Sequence, residues 1–435
     1  MHTETSRCPK QAFCDTSRSA PCVKTSNFST TWGSRPQRRD LASSLDDIGT
    51  KLRITPTTPT ILGAMATTVV LLLGAAPAGG QTGSAQKPPM AEETFKNIQV
   101  LKGISVNEFM DAMGFFSASL GADCTLCHVA ESGGNWEKYA DDIPQKRTAR
   151  RMVTMVSDIN RDNFGGRQVV TCYTCHRGGN PPKATPSLAA LYSAPPPEEP
   201  NDVIAAAPGA SPAGDVLDKY IQALGGAERL AAVTSFVAKG TYQGYDDTEK
   251  HPFEVFAKAP GQRTTIVRRS EGDSITTFDG RSGWIAGPST ARPVPVLALD
   301  GGDLEGAKLD AELSFPAQIK QALSRWRAGL STTIDDREVQ VVQGTSAQGA
   351  LATFFFDRQS GLLVRMVRYT DSRVGRIPTQ IDYGDYREVS GVKMPFHWTV
   401  TWLDGRSIIE LSDVLPNAPI DAAKFARPAP PTPSR

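Results

Sequence analysis

Two short segments of this sequence carry the same arrangement of sulfur and nitrogen donors. The first reads Cys124-Thr125-Leu126-Cys127-His128, and the second, 48 residues later, reads Cys172-Tyr173-Thr174-Cys175-His176. Two thiols three positions apart can reach the two vinyl groups of one porphyrin, and the adjacent imidazole then lies under the iron. Each segment therefore predicts a covalently bound haem c, with the cysteines as tethers and the histidine as proximal iron ligand.

Other uses of paired cysteines fit this sequence less well. A zinc ribbon has its CxxC pairs about 15 to 20 residues apart, whereas 44 residues separate Cys127 from Cys172. A thioredoxin-like redox site needs one CxxC, and a structural disulfide does not explain a histidine after both pairs. The sequence therefore predicts two haem c groups.

The residues also restrict the sixth iron ligand. Between positions 81 and 214 the only histidines are His128 and His176, so this segment offers no second imidazole. Methionine is the remaining soft donor, and it raises the reduction potential relative to a second histidine. The candidates are two pairs, Met110 with Met113 before the first site and Met152 with Met155 before the second. Both sulfurs of a Met-x-x-Met pair share one helix face, so either member of each pair remains a candidate.

Helices must hold these methionines over the porphyrins. Ser105 and Glu108 have the form of a capping box and predict a helix start at that point. A second helix is predicted to begin near Thr148 and to end at residues 163–166, after a polar loop over residues 131–145. The two helix-plus-CxxCH units form an internal repeat, which predicts a pseudo-twofold pair of haems.

Residues 92–179 resemble the cytochrome c subunit of photosynthetic reaction centres, in its two-haem half. The phrases that carry the resemblance include residues 95–101, Ala149-Arg150-Arg151-Met152 and residues 170–178. In that family a methionine on the helix before each CxxCH typically supplies the sixth ligand. The resemblance therefore implies Met113 and Met152 as distal ligands, with Met110 and Met155 as alternates. It also implies a membrane electron-transfer complex as redox partner, such as a photosynthetic reaction centre.

This sequence departs from the family in two ways. Reaction-centre members usually carry four CxxCH sites, and here there are two. They often have a lipidated cysteine near the N-terminus, and no cysteine of this kind follows the apolar run here.

The N-terminal 80 residues predict export. Residues 1–60 are polar and read as a disordered or mis-assigned extension, with the true translation start expected near Lys51. Residues 61–80 read as a signal peptide, because a short apolar run is followed by Ala76-Pro77-Ala78, a small-x-small cleavage pattern. The run is shorter than the roughly 20 residues of a spanning helix. We therefore expect a periplasmic protein, either free or associated with the membrane.

Composition divides the rest of the chain into three parts. Residues 91–180 form the di-haem cytochrome domain, which is mainly α-helical, and residues 181–214 form a linker rich in Pro and Ala. We expect this linker to let the two halves move independently. Residues 215–428 alternate strand-like runs with turn signals such as Asp279-Gly280, which predicts an α+β domain built on a curved antiparallel sheet.

Helices are predicted in this last part from Val216 and over residues 313–326. The part resembles the periplasmic lipoprotein-carrier fold in residues 382–386 and 391–396, and the resemblance implies an apolar ligand in the C-terminal domain.

These observations favour electron transfer over catalysis. Two irons closed by histidine and methionine have no vacant position for a substrate, so we expect an electron carrier without catalytic residues. A di-haem peroxidase, in which one iron opens, is the enzyme alternative, and apolar-ligand binding by the C-terminal domain is the other. The net charge of +1 gives no field that would attract nucleic acid.

Overall fold

A computed structural model of the chain describes residues 87–133, 135–193, 204, 208–245, 247–289 and 292–431. The predicted N-terminal extension and signal peptide lie outside the described residues. The described residues all fall within one compact unit, Gly80–Arg435. Among them, no helix combines the length and the apolar character that crossing a bilayer would demand.

The first part of the unit is helical. Its helices are α1 (Ala91–Thr94), α2 (Val106–Leu120), α3 (Pro144–Phe164), α4 (Cys172–His176) and α5 (Leu188–Tyr192). Short 3-10 helices cover Cys124–Leu126, Ala130–Ser132 and Trp136–Ala140.

Local sequence explains where the two long helices begin and end. At α2, the Ser105 hydroxyl caps the helix by accepting from the Glu108 amide at 3.2 Å, as predicted. α3 begins at Pro144, four residues before the predicted start, because proline suits the first helical position, where no amide hydrogen is needed. Left-handed glycines, Gly121 and Gly165, follow the two helices.

The second part is a large antiparallel sheet with helices, which confirms the predicted fold class. Its helices are α6 (Ala213–Ala223), α7 (Ala227–Ala231), α8 (Gly301–Leu313) and α9 (Ile319–Ala322), with 3-10 turns at Pro316–Gln318 and Ala422–Phe425. Its strands are β1 (Ser235–Gly244), β2 (His251–Lys258), β3 (Gln262–Val267), β4 (Ser274–Phe278), β5 (Gly283–Ala286), β6 (Val296–Ala298), β7 (Arg325–Ala328), β8 (Thr332–Ile334), β9 (Arg337–Thr345), β10 (Leu351–Asp357), β11 (Leu363–Ser372), β12 (Gly375–Val389), β13 (Val392–Trp402) and β14 (Gly405–Pro416).

The strands form a continuous 14-stranded sheet in the order β6-β5-β4-β3-β2-β1-β14-β13-β12-β11-β10-β9-β7, with β8 also pairing with β9. Every neighbouring pair is antiparallel, and most are consecutive in the chain. The first and last strands of this part, β1 and β14, pair in the middle of the sheet.

Helices cover one region of this sheet. Leu217 and Ile221 of α6, and Leu224 directly after it, are at most 6% exposed and pack with Phe354 and Met366 of the sheet. Burying a side chain of this size contributes about 1.5–3 kcal/mol.

The prediction of a helix over residues 313–326 is wrong. The long helix there is α8, which ends at Leu313, and the predicted range holds short turns, α9 and the start of β7. The sequence hides α8 because it opens with Gly301-Gly302 and lacks a strong apolar stripe.

The helical part packs directly on the sheet. Ala112 and Phe115 of α2 share a buried apolar cluster with Val374 and Ile377 at the β11–β12 turn. Beside this cluster the Glu108 carboxylate accepts from the Arg373 amide at 2.9 Å. The second half of the predicted capping box is therefore replaced by a bond to the sheet. These contacts argue against the independent movement expected from the linker.

Candidate metal centre

Both motif histidines are oriented by a backbone carbonyl. His128 Nδ1 lies 3.2 Å from the carbonyl oxygen of Tyr139, and His176 Nδ1 lies 2.7 Å from that of Asn180. A carbonyl only accepts hydrogen bonds, so each Nδ1 carries the proton and donates it. Each Nε2 is then left with a free lone pair, which is the form of imidazole that binds a metal.

Each pair of cysteines stands on or beside a single helical turn, Cys124–Leu126 at the first motif and Cys172–His176 at the second. At the first motif, Asp123 caps the turn by accepting from the Thr125 amide at 2.9 Å, and the His128 amide donates to the Cys124 carbonyl at 3.0 Å. The second motif forms α4. Within the described ranges the four thiols are free and not joined in disulfides, which thioether formation requires.

The methionines differ in their surroundings. Met110, Met113 and Met152 line a cavity of about 630 Å³ together with His128 and His176. Cofactor pockets typically have volumes of this order, ~300–1,000 Å³. Met155 is not part of this lining and is 43% exposed. The structure thus separates the members of the second pair, while both members of the first pair face the cavity.

The amide side chain of Asn160 holds the second motif against α3. Its Oδ1 accepts from the Val170 amide at 2.9 Å and its Nδ2 donates to the Val170 carbonyl at 2.7 Å. Asn160 is 2% exposed and comes from the last turn of α3, one turn before Gly165. This pairing fixes the strand-like stretch that leads into α4.

Two cations of α3 line the cavity beside the first motif. Lys146 Nζ donates to the Tyr139 carbonyl at 2.6 Å, so this oxygen accepts hydrogen bonds from both Lys146 and His128. Arg150 pairs with Asp142 at 2.8 Å. Burial, and after it the charge of Lys146, lowers the pKa of His128 and keeps its imidazole neutral. A partly buried cation also offers a partner for an acidic group of a bound cofactor.

Carboxylates accumulate where α2 meets the sheet. Burial, with Asp303 and Asp404 next in importance, raises the pKa of Asp111 to about 8. Burial likewise raises the pKa of Asp303 on α8, against the opposing effect of Arg368. Asp404, from the β13–β14 turn, lines the cavity of about 630 Å³.

Sequence reasoning missed several of these residues. Tyr139 and Asn180 act through their carbonyls, which no side-chain pattern reveals. Lys146 and Arg150 look like ordinary cations of a solvated helix face, and Asp404 looks like an ordinary turn residue of Asp404-Gly405. The i, i+4 spacing of Lys146 and Arg150, which places both on one helix face, is the one available signal for the cations.

The donor set fits haem c at each motif. Two free thiols, an imidazole with a free Nε2 and a thioether on the preceding helix belong to each one. Among the described residues, no three His, Cys, Asp or Glu side chains converge as a metal-ion site.

Comparison with known proteins supports this reading of the helical part. Residues 71–220 match the family described as photosynthetic reaction centre cytochrome C subunit. The photosynthetic reaction center cytochrome c subunit of Thermochromatium tepidum is 41% identical over 111 residues, which are 25% of this chain and 25% of that protein. The subunit of Rubrivivax gelatinosus is 36% identical over 100 residues, 22% and 25% of the two chains. The chain therefore spans about a quarter of the length of these relatives.

Solved structures that are similar to this chain align with about half of it. A LolA superfamily protein from Nitrosomonas europaea aligns with a TM-score of 0.34 and 17% identity, over 50% of this chain and 98% of that one. The predicted resemblance of the helical part to the reaction-centre cytochrome family is confirmed, and it supports a c-type cytochrome with covalently bound haem c.

Proposed function

We propose that this protein is an exported di-haem c-type cytochrome that carries electrons to a membrane redox complex in the periplasm. The observation that carries the proposal is the pair of histidines whose Nδ1 atoms are each bonded to a carbonyl, beside free CxxC thiols. Haem c supplies one-electron chemistry between ferrous and ferric iron. The chain's own residues tether it, orient it and close both of its axial positions.

In this proposal His128 and His176 are the proximal ligands, and Met113 and Met152 are the distal ligands. Met152 is favoured over Met155 because it lines the cavity. Met113 is favoured over Met110 by the family resemblance, since both line the cavity. Cys124, Cys127, Cys172 and Cys175 are the tethers. The partner we propose is a photosynthetic reaction centre or another membrane electron-transfer complex, since relatives bear the reaction-centre name.

A redox-titrated optical spectrum of the mature protein, produced with a haem-ligation system, tests this function. We expect two haems per chain, both low-spin in both oxidation states, with the near-infrared band of sulfur-ligated ferric haem. A colourless protein would overturn the proposal. A high-spin haem on reduction together with peroxide turnover would favour the peroxidase alternative.

One observation favours the second candidate, apolar-ligand binding by the C-terminal domain. A cavity of about 150 Å³ lies inside this domain, lined by Tyr220, Phe236 and Trp398 among others. Trp398 Nε1 is buried there and has no hydrogen-bond acceptor among the residues that the structure describes. An apolar cavity of this size accepts a molecule about as large as benzene, which is small for an acyl chain. Extraction and mass spectrometry of the purified protein test whether such a molecule copurifies.

A further inference from the structure

The sheet contributes one residue to the candidate haem cavity. Apart from Asp404, every described residue that lines this cavity belongs to residues 95–180. Asp404 lies at the β13–β14 turn, more than 200 positions further along the chain. Asp404 therefore reaches the cavity because the helical part packs against the sheet.

Close packing fixes the Asp404 carboxylate against α2. A Cβ built at Gly114 would lie 3.2 Å from Cγ and from both carboxylate oxygens of Asp404. Gly114 is buried and directly follows Met113. The absence of a side chain at position 114 is what lets the carboxylate approach the helix that carries both candidate ligands of the first haem.

Other contacts hold this part of the sheet in place. Leu403, next to Asp404, packs against the buried apolar cluster that Ala112 and Phe115 of α2 share with the sheet. At the other end of the helix, Asn107 Nδ2 donates to the Ala298 carbonyl at 2.8 Å. The Asp404 carboxylate therefore lies on a surface of the sheet part that contacts α2 along its length.

The two haem units also differ in formal charge. Residues 87–143 contain four basic and nine acidic residues, and Lys146 and Arg150 of α3 also lie beside the first motif. The remaining residues of the range 144–183 contain six basic and two acidic residues. Negative charge near an iron favours its ferric state and positive charge its ferrous state, because the ferric haem carries one more positive charge. Asp404 adds a further anion on the side of the first unit.

We propose that the sheet domain tunes the first haem through Asp404, whose carboxylate holds the midpoint potential of the haem at Cys124 and Cys127 below that of the haem at Cys172 and Cys175. This inference rests on the proposed di-haem function and assigns the C-terminal domain a part in it. Asp404 is a positioning residue in this role, since it acts through its charge and is not itself an iron ligand.

The test is a spectroelectrochemical titration of the full-length holoprotein and its D404N variant, fitted with two one-electron components. We expect D404N to raise the lower component, so that its ferrous-to-ferric ratio at fixed ambient potential increases roughly threefold or more. The upper component should move less. Asp404→Glu, which keeps the charge, should restore the original value, and Asp413→Asn, an exposed carboxylate of β14 away from the cavity, should change neither component.

The two haems are assigned with Met152→His, which alters the proposed distal ligand of the second haem. A second histidine lowers the reduction potential relative to methionine, so the wild-type component that leaves its original potential and moves lower in this variant is the second haem. In the wild-type protein this component should be the upper one. An unchanged lower component in D404N, or a lower component that belongs to the second haem, would overturn the inference. A protein with fewer than two haems would instead overturn the proposed function, so the two failures are distinguishable.

Discussion

At the scale of the residue, the open question within each methionine pair is which thioether occupies the sixth coordination position of the iron. Met152 lines the cavity while Met155 is 43% exposed, and Met110 and Met113 both line it. The exposed thioether of Met155 makes it a natural control for Met152, since the two lie on the same helix three positions apart.

We predict that Met152→Leu removes one of two sulfur ligands, so the near-infrared sulfur-to-iron band falls to about half. Met155→Leu should leave the band intact. The same comparison of Met113→Leu with Met110→Leu identifies the distal ligand of the first haem. Near-infrared absorbance of the oxidised protein, normalised to haem content, measures both. Loss of the band in Met155→Leu but not in Met152→Leu would reverse the assignment.

The sequence reveals the donors but not all of their supports. The CxxCH spacing identifies tethers and proximal histidines without any structure, and the absence of other histidines between positions 81 and 214 points to methionine. It cannot reveal that Tyr139 and Asn180 orient the imidazoles through main-chain oxygens, because any residue type carries such an oxygen. Nor can it show that Asp404 reaches the cavity, since that depends on packing between distant segments.

At the scale of the element, the joint between α2 and the second motif depends on close backbone approach. Gly121 ends α2 with φ +60°, and a Cβ there would lie 2.3 Å from the carbonyl oxygen of Gly178. Gly165 ends α3 with nearly the same φ, +62°, but no atom in the described part of the chain lies within 4 Å of a Cβ at that position. The two glycines therefore separate the cost of the left-handed backbone from the cost of a clash.

We predict that Gly165→Ala destabilises the protein by about 1–2 kcal/mol, the cost of a left-handed non-glycine residue. Gly121→Ala should cost about 1–3 kcal/mol more, because the backbone of Gly178 must move. Denaturant unfolding followed by circular dichroism gives both values. Equal losses in the two variants would show that the contact between Gly121 and Gly178 is not close in solution.

Element prediction succeeded where local signals were strong. The Ser105 cap and the end of α3 at Gly165 follow from the sequence. α8 was missed, and β5, β6, β7 and β8 were too short for a clear alternating pattern. These elements form because they pair with the rest of the sheet and pack on its apolar clusters. Such contacts depend on the tertiary structure and do not follow from the local sequence.

At the scale of the whole molecule, the cytochrome part and the sheet share a buried interface. Val374 and Ile377 of the sheet are 6% and 7% exposed and pack on Ala112 and Phe115 of α2. The sequence shows that α2 is amphipathic but not which surface covers its apolar face. The Pro-rich composition of residues 181–214 suggested separation, and it says nothing about contacts made elsewhere.

We predict that Ile377→Ala lowers the free energy of unfolding by about 2–5 kcal/mol, the usual cost of a large-to-small change in a core. Haem absorbance and the circular dichroism of the sheet should shift together, since the side chain supports both parts. Leu415→Ala, at a position 57% exposed on β14, should change stability by less than about 0.5 kcal/mol. A shift confined to the sheet signal would mean that the two parts unfold separately.

A buried carboxyl group at this interface makes the stability of the protein depend on pH. Burial raises the pKa of Asp303, with Asp300 adding to the shift and Arg368 and Arg292 opposing it. The folded state therefore holds this proton more tightly than the unfolded state, so stability falls as pH rises above the ordinary aspartate range near 3.8. We predict that Asp303→Asn flattens this fall, measured by denaturant unfolding at a series of pH values. A steeper fall in the variant would contradict the shift.

The pairing of β1 with β14 has a consequence for biosynthesis. Two runs of neighbouring hairpins, β1 to β6 and β9 to β13, can each assemble as the chain is synthesised. They are joined only when the last strand, β14, pairs with β1 and β13. Because that contact spans nearly the whole domain, its closure is expected to be a slow step of maturation. Truncation before Gly405 would split the sheet down its middle instead of trimming an edge, and it would release the turn that carries Asp404 from the cytochrome.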